Sequence, residues 1–438
     1  MIEWREVARG EEGLILYRIQ AEMDHPVPPG GGRFNPMQAI LSRHPTETTS
    51  RLDGDFAGSR PPVGESSMRV ACHVISYPDQ LMVVDSSFPA TGGAIFPDGL
   101  EQISEHEGRS LAGRPLDVLY THSHFDHAGG RDAVEALGDE VRILAHPHTQ
   151  ALFAETSKRE GFFVSKGHFF RDCGIELEVG ELLLTMRDAF VEEMGVEIDE
   201  EERRNPFASA SDGPLRVDLP LDPGNGVVPL HGGRVEVMRF EGHIPGHLCV
   251  RVARDHFISG DMWLPATTST VTPPGAAALA GIPDENTGVK LYMDSGIRLL
   301  GLDLDECSAY PSHEGIFENP KRMAMRDLEI FRERFEQVYA VLEEHTEQPM
   351  RVLDLAWGGE QGAPIWKLES SLYRLLMAHD EAAAYVHDLV AIGDLEEVEP
   401  ERYVHTGRSE LLAHLDAALE ENREHYGHLE FRSYRGTR

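Results

Sequence analysis

Lysine is scarce in this 438-residue chain: only Lys158, Lys166, Lys290, Lys321 and Lys367 occur, so arginine makes up most of the 40 basic residues. Against 75 acidic residues the formal net charge is −35. A surface so acidic repels nucleic acid and anionic membrane, and neither is expected as a partner. Cysteine is equally sparse. Cys72, Cys173, Cys249 and Cys307 lie far apart, with no Cys-x-x-Cys pair and no dense disulfide framework, which fits buried thiols in a reducing compartment. No run approaches the roughly 20 apolar residues that span a bilayer. The opening Met-Ile-Glu-Trp-Arg-Glu-Val also lacks the apolar stretch of a signal peptide. A cytoplasmic protein is the expectation. The hydrophobic share of 41% suffices for a large core, and the length makes two domains the natural prior.

Set against these absences is one dense stretch, Thr121-His-Ser-His-Phe-Asp-His-Ala-Gly-Gly130. It packs His122, His124, Asp126 and His127 into six positions, directly after the apolar run Leu116–Tyr120. Alternate side chains of a strand share a face, so His122 and His124 leaving a strand end can point at one metal ion. The turn that follows can send Asp126 and His127 toward a second. Imidazole and carboxylate are ligands that a borderline cation such as zinc prefers. A lone His-x-His is weak grounds for a metal site, but His-x-His-x-Asp-His closed by Gly-Gly after a strand is far more specific.

Further elements follow in a fixed order. Leu81-Met-Val-Val-Asp85 comes first; Gly242-His-Ile-Pro-Gly-His247, Phe257-Ile-Ser-Gly-Asp261 and Tyr310-Pro-Ser-His-Glu-Gly315 come after the dense motif. With these elements in this order the chain resembles the metallo-β-lactamase superfamily over residues 68–325. The resemblance implies an α/β fold, an αββα sandwich with metals at one edge between two sheets. It implies that His122, His124 and His243 hold one metal, that Asp126, His127 and His313 hold another, and that Asp261 bridges the two. Asp85 and His247 are the implied supports beside the ligands. The implied cofactors are two divalent metal ions, zinc in the first place with iron or manganese as alternatives. Asp126 is in addition the catalytic candidate, placed to orient an attacking hydroxide.

The division expected from the chain is an N-terminal extension over 1–67, a catalytic domain over 68–320 and a mainly helical domain over 321–438. The extension contains a strand over Leu14–Gln20 and a long segment rich in Pro, Gly, Ser and Arg. Met68–Tyr77 and Gln80–Val84 read as strands paired across Pro78-Asp79. Helices are expected at Leu100–Glu107, Arg131–Leu137, Thr149–Glu160 and Val289–Leu300. Strands are expected at Val141–Ala145, Val227–Leu230, Val235–Phe240, Leu248–Val252 and His256–Ser259. His146 and His148 look like ligands but the resemblance does not need them. The stretch 161–215 departs from a minimal member: it reads as an insertion and candidate lid, in which Phe162, Phe163, Phe169 and Phe170 serve either a substrate or the core. Leu264–Asn286 reads as the substrate-contacting loop. Leu328, Phe331, Phe335, Val338 and Leu342 recur at helical spacing, and further helices follow, ending with Leu411–Leu419. This acidic C-terminal stretch resembles the small helical, winged-helix-like domains that some members carry, and packing, dimerisation or pocket closure suits it better than DNA binding.

The ligand types narrow what the resemblance implies. The best-known β-lactamases of the family carry Cys where Asp261 stands, and flavodiiron members carry Glu where His124 stands. What remains resembles glyoxalase II, lactonases and thioesterases. The leading expectation is therefore a dinuclear hydrolase acting on an ester, thioester or lactone of a small molecule, by attack of a hydroxide shared between the metals. The alternatives are a phosphodiesterase or alkyl sulfatase on the same metals, a mononuclear iron dioxygenase of persulfides, and a non-catalytic binding protein.

Overall fold

The pairing at Pro78-Asp79 is where the sheets begin to assemble. Strands Met68–Tyr77 and Gln80–Val84 run antiparallel, with Tyr77 opposite Gln80 across the turn. The computed structural model describes residues 2–23, 43–49, 68–87, 94–110, 113–138, 141–156, 169–176, 181, 185, 215–265, 268–273, 275–313, 315–344, 349–357 and 372–426. Within them the first sheet is built from β1 (Ile2–Arg9), β2 (Ile15–Met23), β3 (Met68–Tyr77), β4 (Gln80–Val84), β5 (Leu116–Leu119), β6 (Val141–Ala145) and β7 (Leu219–Pro220), adjacent in that order. The pairs from β1 to β4 are antiparallel, and those from β4 to β7 are parallel. The second sheet contains β8 (Val227–Leu230), β9 (Val235–Arg239), β10 (Leu248–Val252), β11 (His256–Gly260) and β12 (Ser308–Pro311), with β12 parallel to β11 at one edge.

Period-two alternation assigns each strand residue to a layer. Ile75, Met82, Val84 and Leu119 of the first sheet meet Val237, Leu248, Val250 and Ile258 of the second in one buried cluster between the sheets. Their neighbours Val74, Leu81, Val83 and Val118 point the other way, toward Leu100 and Ile103 of helix α1 (Leu100–Glu107). On the far side, Cys249 and Phe257 face a third cluster. This is the expected αββα sandwich. Short helices α2 (Phe125–Ala128) and α3 (Arg131–Glu135) follow β5, and α4 (Pro147–Thr156) follows β6.

The third cluster continues without a break into the C-terminal helices. It joins Phe257 and Trp263 to Tyr292 of α5 (Val289–Leu300), and to Phe331 and Phe335 of α6 (Pro320–Glu344). After α7 (Val352–Trp357) it takes in Leu389 of α8 (Leu372–Ile392) and Leu415 of α9 (Glu410–Tyr426). The helical region thus shares the core of the second sheet. Between α8 and α9 a hairpin forms from β13 (Leu395–Glu399) and β14 (Arg402–His405).

Two elements differ from the sequence reading. The strand expected at Leu14–Gln20 is β2, and a further strand, β1, precedes it; both extend the first sheet, so residues 2–23 are part of the sandwich. The reason is that β2 pairs residue for residue with β3 from Ile15 to Met23 and covers what would otherwise be an open edge. Of the further helices expected before Leu411, residues 372–392 form one continuous helix. Phe169 and Phe170 are buried in the third cluster, the core role allowed for them. Phe162, Phe163 and the acidic run Val191–Arg204 of the expected lid lie outside the described residues, as does most of 24–66. The four cysteines are free and buried. Among the described residues, no helix is long and apolar enough to cross a membrane.

Candidate metal centre

The histidines and carboxylates collect where strands end. Asp85 follows β4, His122 lies just past β5, Asp261 follows β11, and His313 lies two residues past β12. The carboxyl ends of these parallel strands meet at one rim of the sandwich, and the turn before β10 brings His243 to the same place. Backbone bonds stitch the rim together: Leu248 N donates to Thr121 O (2.9 Å), Ser312 N to Gly260 O (3.0 Å) and Ala71 N to Ser312 O (2.7 Å). Ligands carried by such rigid ends hold their geometry.

Two groups of donor atoms form, each with its atoms within 4.8 Å of one another. The first is His122, His124, His243 and Asp261; the second is Asp126, His127, Asp261 and His313. In the first, Nδ1 of His124 lies 3.0 Å from Nε2 of His122 and 3.1 Å from Nε2 of His243. In the second, Nε2 of His313 lies 3.3 Å from Oδ2 of Asp126. Asp261 belongs to both: its Oδ2 is 3.3 Å from Nε2 of His127 and of His313, 3.8 Å from His243 and 4.0 Å from His122. All seven residues that the resemblance implied as ligands are therefore together. His146 and His148 are not in either group; His146 instead faces Asp222 at 3.3 Å.

The remaining ring nitrogens are committed elsewhere. Oδ2 of Asp85 lies 2.9 Å from Nδ1 of His127. Oδ1 of Asp85 accepts from the Thr121 amide at 2.7 Å, and the Thr121 hydroxyl sits 2.8 Å from Oδ2 and 3.0 Å from Nδ1 of His122. Asp85 itself adopts a left-handed backbone, φ +67°, a conformation that Asp tolerates better than most residues. Nδ1 of His243 donates to the Thr270 carbonyl at 2.8 Å, with the Ser269 hydroxyl at the same distance. Nδ1 of His313 donates to the Arg69 carbonyl at 2.6 Å. These contacts fix which nitrogen of each ring faces the site. His247 has a different job: its ring stacks on His122 with centroids 4.9 Å apart, and its Nε2 accepts the backbone N–H of Asp261 at 3.2 Å.

The sequence points to Asp85 and His247 as supports, but not to Thr121, Ser269, Thr270 or Arg69. A hydroxyl next to the first ligand was the available signal for Thr121. Arg69 acts through its carbonyl, which no side-chain pattern encodes. The glycine before Asp261 is required by the same close packing: Gly260 has φ +56°, and a Cβ there would stand 2.7 Å from the His247 ring.

Charge separates the two groups. Burial holds His122 well below the ordinary imidazole range and His124 down to about 3, and it lowers His243. Burial would also lower His127 and His313, but carboxylates outweigh it. Asp261, Asp126 and Asp85 raise His127 far above its usual value, while Asp261 and Asp126 raise His313 to about 10. Burial opposes ionisation of Asp261 and Asp126, yet the histidines beside them keep both carboxyls low. Nε2 of His127 makes no hydrogen bond of proper geometry, and Oδ1 of Asp261 has no hydrogen-bond partner, although both are buried. Buried polar atoms normally find partners. A cation among these nitrogens and oxygens would satisfy both, so the donor set fits a metal centre of N and O ligands.

The family comparison agrees. Residues 68–309 match the family model described as the metallo-beta-lactamase superfamily, more than half of the chain. Among solved structures, a metallo-beta-lactamase family protein from Thermus thermophilus is 19% identical with a TM-score of 0.49, covering 77% of this chain and 94% of that one. A beta-lactamase domain protein from Burkholderia ambifaria is also 19% identical with a TM-score of 0.49, covering 79% and 89%. A metallo beta lactamase from Hirschia baltica is 13% identical with a TM-score of 0.39, covering 72% and 92%. No curated protein matches the chain significantly. The chain belongs to the metallo-beta-lactamase superfamily and is a metallohydrolase with a His/Asp metal site.

Proposed function

We propose that the protein is a dinuclear, zinc-dependent hydrolase that cleaves an ester, thioester or lactone of a small molecule. The observation that carries this reading is the position of Asp261 Oδ2 within 4.0 Å of imidazole nitrogens from both groups. His122, His124 and His243 would hold one ion, Asp126, His127 and His313 the other, and Asp261 both. Such a pair supplies a water of lowered pKa and polarises the substrate carbonyl.

The chain's own residues supply the rest. Asp126, kept ionised by His127 and His313, is placed to orient the attacking water and accept its proton. That proton then passes to the departing alkoxide or thiolate, so that water and substrate give an acid and an alcohol or thiol. Asp85 and Thr121 keep His127 and His122 turned to the site while charge moves. The net charge of −35 favours small substrates over polyanionic ones, and the carboxylate at position 261, where the best-known β-lactamases carry a thiolate, speaks against β-lactam hydrolysis.

The experiment is hydrolysis by purified zinc-loaded protein against a panel of esters, thioesters and lactones, with phosphodiesters and sulfate esters alongside. Turnover of one acyl class, abolished by chelation and restored by zinc, is the expected result. Cleavage confined to phosphodiesters or sulfates would replace this reading with the phosphodiesterase or sulfatase one. Loading with one iron and oxygen uptake with a persulfide would replace it with the dioxygenase.

A further inference from the structure

The loop after Asp261 touches the site at both of its ends. It leaves β11 at Asp261, the shared carboxylate, and returns at Ser269 and Thr270, whose oxygens face Nδ1 of His243. Two residues later Thr272 bonds the turn that carries His243: its amide donates to the Gly242 carbonyl at 3.1 Å and its hydroxyl to the His243 carbonyl. Gly242 leaves no room for adjustment here, since it has φ +118° and a Cβ on it would stand 2.4 Å from Tyr292 Cα.

Behind the loop stand helices α5 and α6. The guanidinium of Arg326 donates to the carbonyls of Leu264 and Pro265. Its Nε also donates to Asp327 Oδ1 at 3.0 Å, so the fork is held at its root. The Tyr292 hydroxyl lies between Oδ2 of Asp327, at 2.7 Å, and the carbonyl of Met262. Two turns of α6 further on, Nη1 of Arg334 donates to the Thr268 hydroxyl at 3.2 Å. The far end is tied as well: Gly288 N donates to Thr272 O at 3.2 Å, and Asp388 of α8 accepts the Lys290 amide at 2.6 Å just beyond it. Asp327 and Tyr292 are fully buried, and Arg326 is mostly so. Buried charge that bonds loop carbonyls is poorly explained by stability alone, because an apolar contact of equal volume is often as stabilising.

We propose that Arg326, Asp327 and Tyr292 are positioning residues of the metal centre: through the loop Met262–Pro273 they set Asp261 and His243 together. The helical region would then serve the site from behind, without touching metal or substrate. This rests on the metal-centre reading above. Residues that hydrogen-bond a ligand typically change metal affinity by about 10–100-fold; Arg326 and Tyr292 act one step further out, through loop carbonyls, so an effect toward the lower end of that range is expected.

The test uses the full-length protein and zinc itself. Both dissociation constants are measured by competition with a chromophoric chelator for wild type, Arg326→Ala and Arg332→Ala. Arg332 lies on the same helix but pairs with Asp416 of α9, away from the loop. Arg326→Ala is expected to weaken zinc binding about 10-fold or more, and to shift the visible absorption of the cobalt-loaded protein, while Arg332→Ala does neither. If Arg326→Ala does not fold, Arg326→Lys and Tyr292→Phe carry the test: the lysine keeps the charge beside Asp327 but loses the planar fork. Dissociation constants within twofold of wild type in a folded loop variant would overturn the proposal alone. A wild type that takes up no divalent ion would sink the metal reading and this proposal with it.

Discussion

Oδ2 of Asp85 lies 2.9 Å from Nδ1 of His127, 42 positions away in sequence. Both groups are buried, and His127 is shared by the electrostatics of three carboxylates. Replacing Asp85 by Asn keeps the shape and tolerates the left-handed backbone but removes the charge that raises the basicity of the ring. Metal affinity of Asp85→Asn is expected to fall by about 10–100-fold, measured by chelator competition. Unchanged affinity would mean that the contact serves folding only.

Asp261 is the one carboxylate common to both groups. Metal content by mass spectrometry should be about two ions per wild-type chain and lower in Asp261→Ala. Retention of a full complement by the variant would show that the two groups bind independently of it.

Protonation distinguishes the groups in a way that calorimetry can read. After chelation, burial favours the neutral form of His122, His124 and His243, whereas the carboxylates beside His127 and His313 favour their protonated forms, so the expected state at pH 7 is three neutral rings and two protonated ones. Coordination by imidazole needs the deprotonated ring, so loading both ions at pH 7 should release about two protons from these rings, and about one more where a bound water ionises. Titrations in buffers of different ionisation enthalpy count them, and no release would contradict the charge assignment. The sign for stability follows from the raised value of His313. Its pairing with Asp261 and Asp126 stabilises the chelated protein fully below 6.5 and is lost as pH rises through about 10.

Gly260→Ala places a methyl group against the His247 ring in a left-handed backbone. A loss of about 1–3 kcal/mol in unfolding free energy is expected, measured with denaturant on the chelated protein. Metal affinity should fall too, because His247 accepts the Asp261 amide. A neutral effect on both would mean that the turn relaxes freely.

Much of this site could be read in advance, because its ligands sit in short local patterns that each end a strand. The edge strand β1 was harder to see: Ile2 and Trp4 alternate with Glu3 and Arg5, but the alternation breaks at Glu6-Val7-Ala8, where the pairing with β2 shifts register, and that pairing is a matter of tertiary contact. The supports of the ligands were hidden for the same reason. Arg69 reaches His313 across 244 positions, and Arg326 reaches Leu264 across 62. Backbone carbonyls and distant arginines leave no motif.

The amino-acid order by itself determined which side chains are the candidate metal ligands. Histidine and aspartate at these spacings, on strands of this apolar pattern, have few other uses. Only the tertiary structure decided how the two groups share Asp261, which nitrogen of each histidine faces inward, and that the C-terminal helices join the core of the second sheet behind the loop Met262–Pro273. Local propensity sets where a strand ends, but the direction of a ring and the grip on a loop depend on hydrogen bonds between segments far apart in sequence.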